Sequence, residues 1–482
     1  MKDESNEIMK TWRDKFKDAS PAVKASMALL LANIIQKGIS LISGPVFTRI
    51  MPAEQYGIVA TFTSWQSILA VIVTLNLSSG VFNNGMLDYK DDRDSFQFSL
   101  LIISTCSTLL WLCVFLFLKK AIIEFMGLPE LSIYFMFLNF LFVPAYSFWS
   151  ARQRYEFKYK ALCFVSVLNA VLSMSLGIAA VLMVSDSNSA ITRIIVIEAV
   201  SIVIGCVFYI RICNRAKFKL NLEYCRYAIK FNIPLVPHYL SIYVLSSSDR
   251  VMITKMIGAR DTAIYSVAYT VASVISIVWQ SVEASLSPWI YERIAGGEKA
   301  SIKPLITKVI AMFGVMSLSC TLLAPEIMMI LAPEDYSSGV YVIPPIAAGV
   351  FFTAVYSIYM RIELYFKQTG FATIATTIAA GLNIILNFVF IQLFGAVAAG
   401  YTTMTCYAVL ALLHFINVKK KGYADCFDNR AILLTSASVI VCAVLISLLY
   451  PYTIVRFVLI AAISAFAIIK RGTIIELVRK RK

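Results

Sequence analysis

The sequence predicts an all-α polytopic membrane protein with about fourteen transmembrane helices. Three observations carry this expectation. Hydrophobic residues make up 59% of the 482-residue chain and charged residues only 15%, against roughly 25% charged in soluble domains. The apolar residues gather in repeated runs near the ~20 residues a helix needs to cross a hydrocarbon core. Basic residues sit mainly in the short stretches between those runs, as cytoplasmic loops require.

Taken in order, residues 1–24 are polar and charged, with neither a short apolar core nor a small-residue cleavage site. We therefore expect no removable signal peptide and a cytoplasmic N-terminal segment. Apolar runs bounded by turn or charge residues then place helices at 25–48, 57–79, 96–118, 130–150, 160–183, 190–211, 231–257, 264–287, 304–331, 340–362, 370–393, 396–418, 431–450 and 453–470. Alternating sides from a cytoplasmic N-terminus puts 34 of the 43 Lys and Arg residues inside and eight outside. A missed or extra helix would scramble that asymmetry, so both termini are expected in the cytoplasm.

The same reading excludes several functions. A net charge of +15 could suggest nucleic acid, but its confinement to loops argues for membrane topology instead. The ten cysteines are scattered without a C-x-x-C pair, so neither a metal site nor a disulfide framework is indicated. His238 and His414 lie within apolar runs and have no sequence-adjacent nucleophile. There is no P-loop and no stretch long enough for a soluble catalytic domain. We expect a protein that is not an enzyme.

Two internal echoes suggest duplication. Thr48-Arg49-Ile50-Met51 lies 206 residues before Thr254-Lys255-Met256-Ile257, and Tyr146-Ser147-Phe148-Trp149 matches Tyr356-Ser357-Ile358-Tyr359 at nearly the same offset. They predict an N-lobe at 25–211 (helices 1–6), a basic linker at 212–230 and a C-lobe at 231–418 (helices 7–12). Helices 13 and 14 (431–470) and a basic cytoplasmic tail (471–482) fall outside the repeat. Six helices per lobe give both lobes the same orientation in the membrane.

A charge at mid-bilayer costs about 2.5–3.5 kcal/mol on insertion scales, so each needs a partner or water. Lys37, Glu198, Asp249 and Arg250 lie deep in apolar runs, and Arg49 lies just inside the outer end of helix 1. Lys37 can face an aqueous cavity and bind an anion, or pair with Glu198. Glu198 is the best candidate for a proton- or sodium-linked carboxylate, and equally it can neutralise Lys37 or Arg193. Asp249 and Arg250 project about 100° apart on a helix, so each should find its partner elsewhere. For Arg250 that partner can be substrate, and for Asp249 a neighbouring helix. Pro234 and Pro237 predict a break or kink at the cytoplasmic end of helix 7, a candidate hinge. The run Arg152–Lys160, with Tyr155, Phe157 and Tyr159, reads as an interfacial aromatic belt with basic anchors. Asn383 and Asn387, four apart, share a helix face and should hydrogen-bond a neighbouring helix.

The segment Ile229–Ala272 combines an N-x-P-x-x-P opening (Asn232, Pro234, Pro237), the Asp249–Arg250 pair and an A-x-Y-x-x-A-Y tail from Ala263 to Tyr269. In that order it resembles the Wzx-type polysaccharide and O-antigen oligosaccharide-lipid flippases of the MATE-like MOP superfamily, with Ala263 where the family has Gly. Gly381–Gly400, an N-x-x-x-N helix followed by Phe394-Gly395 and small residues, resembles the same family. The resemblance implies two six-helix MATE-like lobes plus two C-terminal helices, in the bacterial cytoplasmic (inner) membrane. It implies a flippase carrying polyprenyl-pyrophosphate-linked oligosaccharide of O-antigen or capsule type from inner to outer leaflet by alternating access. A cationic central cavity of Lys37, Arg49 and Arg250 would meet the pyrophosphate, and helices 13–14 would accompany the lipid tail. No cofactor is implied beyond proton or sodium coupling. The implied partners are the lipid-linked oligosaccharide, membrane lipids and a polysaccharide polymerase with its chain-length machinery, and not nucleic acid. Two rivals stand beside it. A MATE-type cation or drug antiporter would want carboxylates where helix 1 offers Lys37. A membrane-embedded polymerase would usually carry a large external loop.

Overall fold

Inside a bilayer there is no water to bond the backbone, so an apolar chain has to satisfy its N–H and C=O groups within helices. A computed structural model of the protein describes residues 21–367 and 369–469, and all regular structure among these described residues is helical. Residues 1–20 of the charged N-terminal segment, and the basic tail 471–482, lie outside the described residues.

Fourteen long helices follow one another: α1 Pro21–Ile50, α2 Ala53–Val73, α3 Arg93–Phe117, α4 Glu130–Tyr155, α5 Tyr159–Leu182, α6 Ser189–Ala216, α7 Val236–Met256, α8 Ala259–Ala295, α9 Lys299–Leu322, α10 Ile343–Tyr365, α11 Thr369–Phe394, α12 Ala396–Lys420, α13 Asn429–Leu448 and α14 Thr453–Ile469. Each corresponds to one predicted span. By length and composition alone, eleven can cross a membrane, and α1, α7 and α14 stand outside that set. Among the three, α7 carries His238, Asp249, Arg250 and Lys255 within 21 residues, and α14 has 17.

The chain divides into two compact units within α7, between Tyr243 and Val244. In the first, α4 packs on α6, α5 on α6 and α1 on α5. The α4–α6 contact is backbone to backbone at Gly205, where a Cβ would stand 2.7 Å from the Phe142 carbonyl. Small residues permit this approach, which drives helix association where lipid removes the hydrophobic incentive. Phe82, on the short helix Gly80–Asp88, forms an aromatic core with Phe96, Phe148, Trp149 and Phe208. In the second unit, α10 is the central pillar, packed on α8, α9, α12 and α13, and 83% of its membrane window is buried.

Three local expectations are refined. The run 304–331 is not one helix: α9 ends at Leu322 and a separate short helix, Ala324–Leu331, carries Pro325 in its first turn, where the missing N–H is harmless. The segment 212–230 is largely helical. α6 runs to Ala216 and an amphipathic helix occupies Leu222–Asn232, capped by Asn221, which accepts from the Glu223 N–H at 2.8 Å. Its Tyr224 and Ala228 are buried in the aromatic core. A 3₁₀ turn, Ile233–Leu235, separates this helix from α7, so Pro234 and Pro237 sit at the junction between two helices, where they disrupt no ladder.

The basic belt is corrected at one residue. Arg152 is not an exposed interfacial anchor, because its side chain is buried. It pairs with Asp94, with Glu156 at 2.7 Å and with Gln97 at 3.0 Å. Partial burial would raise the Glu156 carboxyl, but Lys158 and Arg152 outweigh it and hold that group below the usual carboxylate range.

Candidate functional site

The Asp249–Arg250 step is where the sequence motifs of the second unit converge. Asp249 on α7 is completely buried. Its Oδ1 accepts from Asn387 Nδ2 at 2.6 Å, and its Oδ2 accepts from Tyr265 OH at 2.5 Å and Thr403 Oγ1 at 2.7 Å. Asn383 extends the network. Its Nδ2 donates to Thr403 Oγ1 at 3.2 Å, and its Oδ1 accepts from Ser248 Oγ at 3.0 Å and Asn387 Nδ2 at 3.2 Å. The Thr402 hydroxyl closes the circuit on Asn387 Oδ1. Three neutral donors thus solvate one carboxylate and tie α7 to α8, α11 and α12. A buried charge is tolerable on such terms.

Arg250 points elsewhere, as the 100° step along a helix requires. Its Nη1 donates to the Ser246 carbonyl at 3.1 Å, and the guanidinium lies 4.3 Å from the Tyr269 ring centroid. Tyr265 and Tyr269 are four residues apart on one face of α8. The tail of the motif therefore serves both members of the pair, a hydroxyl for the carboxylate and a ring face for the cation.

The other predicted residues belong to the first unit. Lys37 is exposed on α1. Its neighbour Gln36 lines a cavity of about 350 Å³ together with Asn33, Tyr146, Arg154, Ser166 and Asn169. Arg49 is exposed as well, with Nη1 donating to the Pro45 carbonyl at 2.9 Å. Glu198 is buried on α6 and accepts from Asn139 Nδ2 at 2.5 Å, with Gln66 as a further partner. No ion pair joins Glu198 to Lys37 among the described residues. Arg193 lies over the Phe47 ring, 3.6 Å from its centroid.

The structure also assembles groups that sequence reading left apart. Glu283 on α8 accepts from Arg361 Nη2 at 2.5 Å and Nε at 3.1 Å, beside a cavity of about 240 Å³. His414 is no isolated core histidine. Its Nδ1 lies 2.8 Å from Glu363 Oε2, and Asn417 Nδ2 donates to Glu363 Oε1 at 2.7 Å. The available signal was a polar pair three residues apart, His414 and Asn417, in the apolar second half of α12. Arg456 is buried and bonds Glu326 at 2.9 Å and the Leu322 carbonyl at 3.2 Å, which fastens the start of α14.

Polar pairs of this kind tie together the helices of a multi-pass membrane protein. The chain is 21% identical over 414 residues to the probable low-salt glycan biosynthesis flippase Agl15 of Haloferax volcanii, covering 82% of this chain and 84% of that protein. Its fold matches the lipid II flippase MurJ in an inward closed conformation, with a TM-score of 0.64, 16% identity and coverage of 94% of this chain and 100% of that one. It also matches an inward-facing multidrug resistance MATE family transporter of the MOP superfamily, with a TM-score of 0.60, 13% identity and coverage of 83% and 98%. Residues 22–293 match the family described as polysaccharide biosynthesis protein; spanning more than half of its length, that match places this chain in the polysaccharide biosynthesis protein family.

Proposed function

We propose that this protein is a flippase for lipid-linked oligosaccharide. It moves polyprenyl-pyrophosphate-linked repeat units of O-antigen or capsule type from the inner to the outer leaflet of the bacterial cytoplasmic membrane. The observation that carries this reading is the alignment, over 82% of this chain, with a protein named as a glycan biosynthesis flippase.

The arrangement of charge supports it. Arg250 is held by a carbonyl and an aromatic face and forms no ion pair among the described residues, so its charge remains available to an anion. Lys37 is exposed on α1. With Arg49 they would attract the pyrophosphate and replace part of the hydration it loses on entering the membrane. In this reading the two lobes alternate access, the Pro234–Pro237 junction bends, and the polyprenyl tail follows α13–α14 in lipid. Glu198, a buried carboxylate bonded by neutral amides, is the candidate for proton or sodium coupling. Asp249 is assigned to the lock between helices.

A second reading, a MATE-type antiporter, is favoured by the fold likeness at a TM-score of 0.60. Against it, residues 21–50 contain cations and no acid, which suits anionic cargo better than cationic drugs. The deciding assay reconstitutes purified protein in liposomes with labelled lipid-linked repeat from the host. We expect protein-dependent movement without ATP, driven where needed by a proton or sodium gradient. No movement under any imposed gradient, by folded protein with the cognate lipid, defeats the flippase reading. Gradient-driven export of an organic cation by the same vesicles would establish the antiporter instead.

A further inference from the structure

We infer that the cavity among α8, α10 and α12 is a sugar-binding subsite, taking one uncharged, hydroxyl-rich ring of the transported glycan. The inference rests on the flippase reading above and deepens it. Three features of the cavity point to this ligand.

The first is its aromatic wall. Tyr356 and Tyr407 line the cavity with ring planes within 2° of parallel and centroids 6.2 Å apart. Tyr356 also stacks on His414, 5.8 Å between centroids at 21°, so the wall is a held aromatic stack. Its open edges and polar tips border the cavity, where a pyranose can set C–H groups against the rings and keep its hydroxyls hydrogen-bonded.

The second is the polar pair. Arg361 Nε and Nη2 both donate to the same oxygen, Glu283 Oε1, so Glu283 Oε2 and Arg361 Nη1 keep no protein partner among the described residues. Both side chains are partly accessible, at 20% and 24%. A strong acceptor and a strong donor held side by side match two neighbouring sugar hydroxyls, each of which can donate and accept. Gln280, exposed one turn before Glu283, adds an amide of the same kind.

The third is charge and size. Carboxylate and guanidinium cancel, so the cavity suits a neutral polar ligand and offers little to pyrophosphate, which is better met by cations without a carboxylate partner such as Arg250. At about 240 Å³ it holds about eight waters at ~30 Å³ each, enough for a single ring and not for a whole repeat unit. Its floor is fixed, because the buried Trp279 Nε1 donates to Ser357 Oγ at 3.1 Å. A plain helix lock between α8 and α10 would need the ion pair but neither the parallel rings nor the cavity.

The test is saturation-transfer NMR on the full-length protein in lipid nanodiscs. The probes are lactose, maltotriose and N,N′-diacetylchitobiose, with inorganic pyrophosphate as the anionic control. At least one neutral sugar should receive saturation, and the signal should fall at least fivefold in Glu283→Gln and in Tyr356→Leu. Gln280→Ala, which removes an exposed side chain and cannot disturb packing, should lose at least threefold. Inorganic pyrophosphate should neither compete with the sugars nor depend on these residues. Silence from all three sugars, or binding that survives in Gln280→Ala and Glu283→Gln, overturns the subsite and leaves a helix lock. Because this readout needs no transport, liposome flipping with unaltered sugar binding in the variants sinks the subsite alone, and variant-sensitive sugar binding without any flipping sinks the flippase reading alone.

Discussion

Replacing Asp249 by Ala removes the acceptor around which four helices are tied, and the structure gives the size of the effect. Three donors converge on the carboxylate, from Tyr265, Asn387 and Thr403. Interhelical hydrogen bonds in membranes average about 0.6 kcal/mol and reach about 1.7, so losing three costs about 2–5 kcal/mol. The orphaned donors cannot recover that from water, since Asn387 and Thr403 are buried beside Asp249. Asp249→Asn should cost less, about 1–2 kcal/mol. The two hydroxyls can rotate to the remaining oxygen, and only the Asn387 amide is left facing another amide. Each kcal/mol is worth roughly 2–4 °C in a unit of 150–250 residues. We therefore expect the Ala variant to melt at least ~5 °C lower and the Asn variant a few degrees lower. Thermal unfolding with a thiol-reactive dye, after the exposed Cys106 and Cys113 are blocked, suits this protein, because Cys406 is completely buried in the apolar cluster of α7, α11 and α12. An Ala variant that melts within a degree of wild type would refute the lock. An Asn variant with normal melting and no transport would move Asp249 from architecture to coupling.

Further expectations follow from topology, charge and packing. Reporter fusions at Met126, Ser187, Pro333 and Tyr452 should behave as external and those at Asp91, Phe218 and Asp425 as internal; external labelling of a cysteine placed at Asp425 in intact cells would contradict the C-lobe orientation. Lys37→Ala and Arg250→Ala should reduce liposome flipping at least tenfold at near-normal protein level, and Lys37→Arg should retain more activity than Lys37→Glu; normal flipping by both Ala variants would end the cationic-cavity model. Gly205→Ala puts a Cβ 2.7 Å from the α4 backbone and should destabilise by about 1–3 kcal/mol, measured as a fall in melting temperature of several degrees. A wild-type melting curve would show that α4 and α6 separate freely.

Much of the fold was legible because its signals are local. Apolar run length and loop charge need no knowledge of neighbours, and they placed all fourteen long helices. Asn383 and Asn387 were legible for the same reason, since a four-residue spacing fixes a shared face, and both do hydrogen-bond a neighbouring helix through Thr402 and Thr403. What sequence could not carry was pairing between elements. Arg152 looks like any basic residue at a membrane boundary until α3 brings Asp94 to it. His414 looks solitary until α10 delivers Glu363 from 51 residues away. Arg361 stands at the end of the apolar run 340–362, and only the packing of α8 on α10 reveals Glu283 as its partner. Charge identity is written in the chain, whereas charge compensation is written in the packing.

The Asp249–Arg250 step shows why that distinction matters for function. Read as a dipeptide it is neutral, and a neutral dipeptide has nothing to offer a pyrophosphate. On a helix the two side chains diverge by about 100°, and the surroundings then treat them differently. Asp249 receives three hydrogen bonds from neutral donors, with Arg250 attracting it only through space and not as an ion pair. Arg250 receives a carbonyl and the face of Tyr269, which orient a guanidinium without neutralising it. In the reading proposed above, the step serves as a lock and as a positive charge offered to substrate, each supported by one tyrosine of α8. A lysine at 250 would preserve the charge but not the planar stacking on Tyr269 or the forked geometry that grips phosphate oxygens in pairs. Arg250→Lys should therefore fold normally, since it leaves the Asp249 network intact, and should flip the lipid-linked repeat more slowly than wild type. Equal rates for the two proteins would mean that charge alone, without orientation, is what this position supplies.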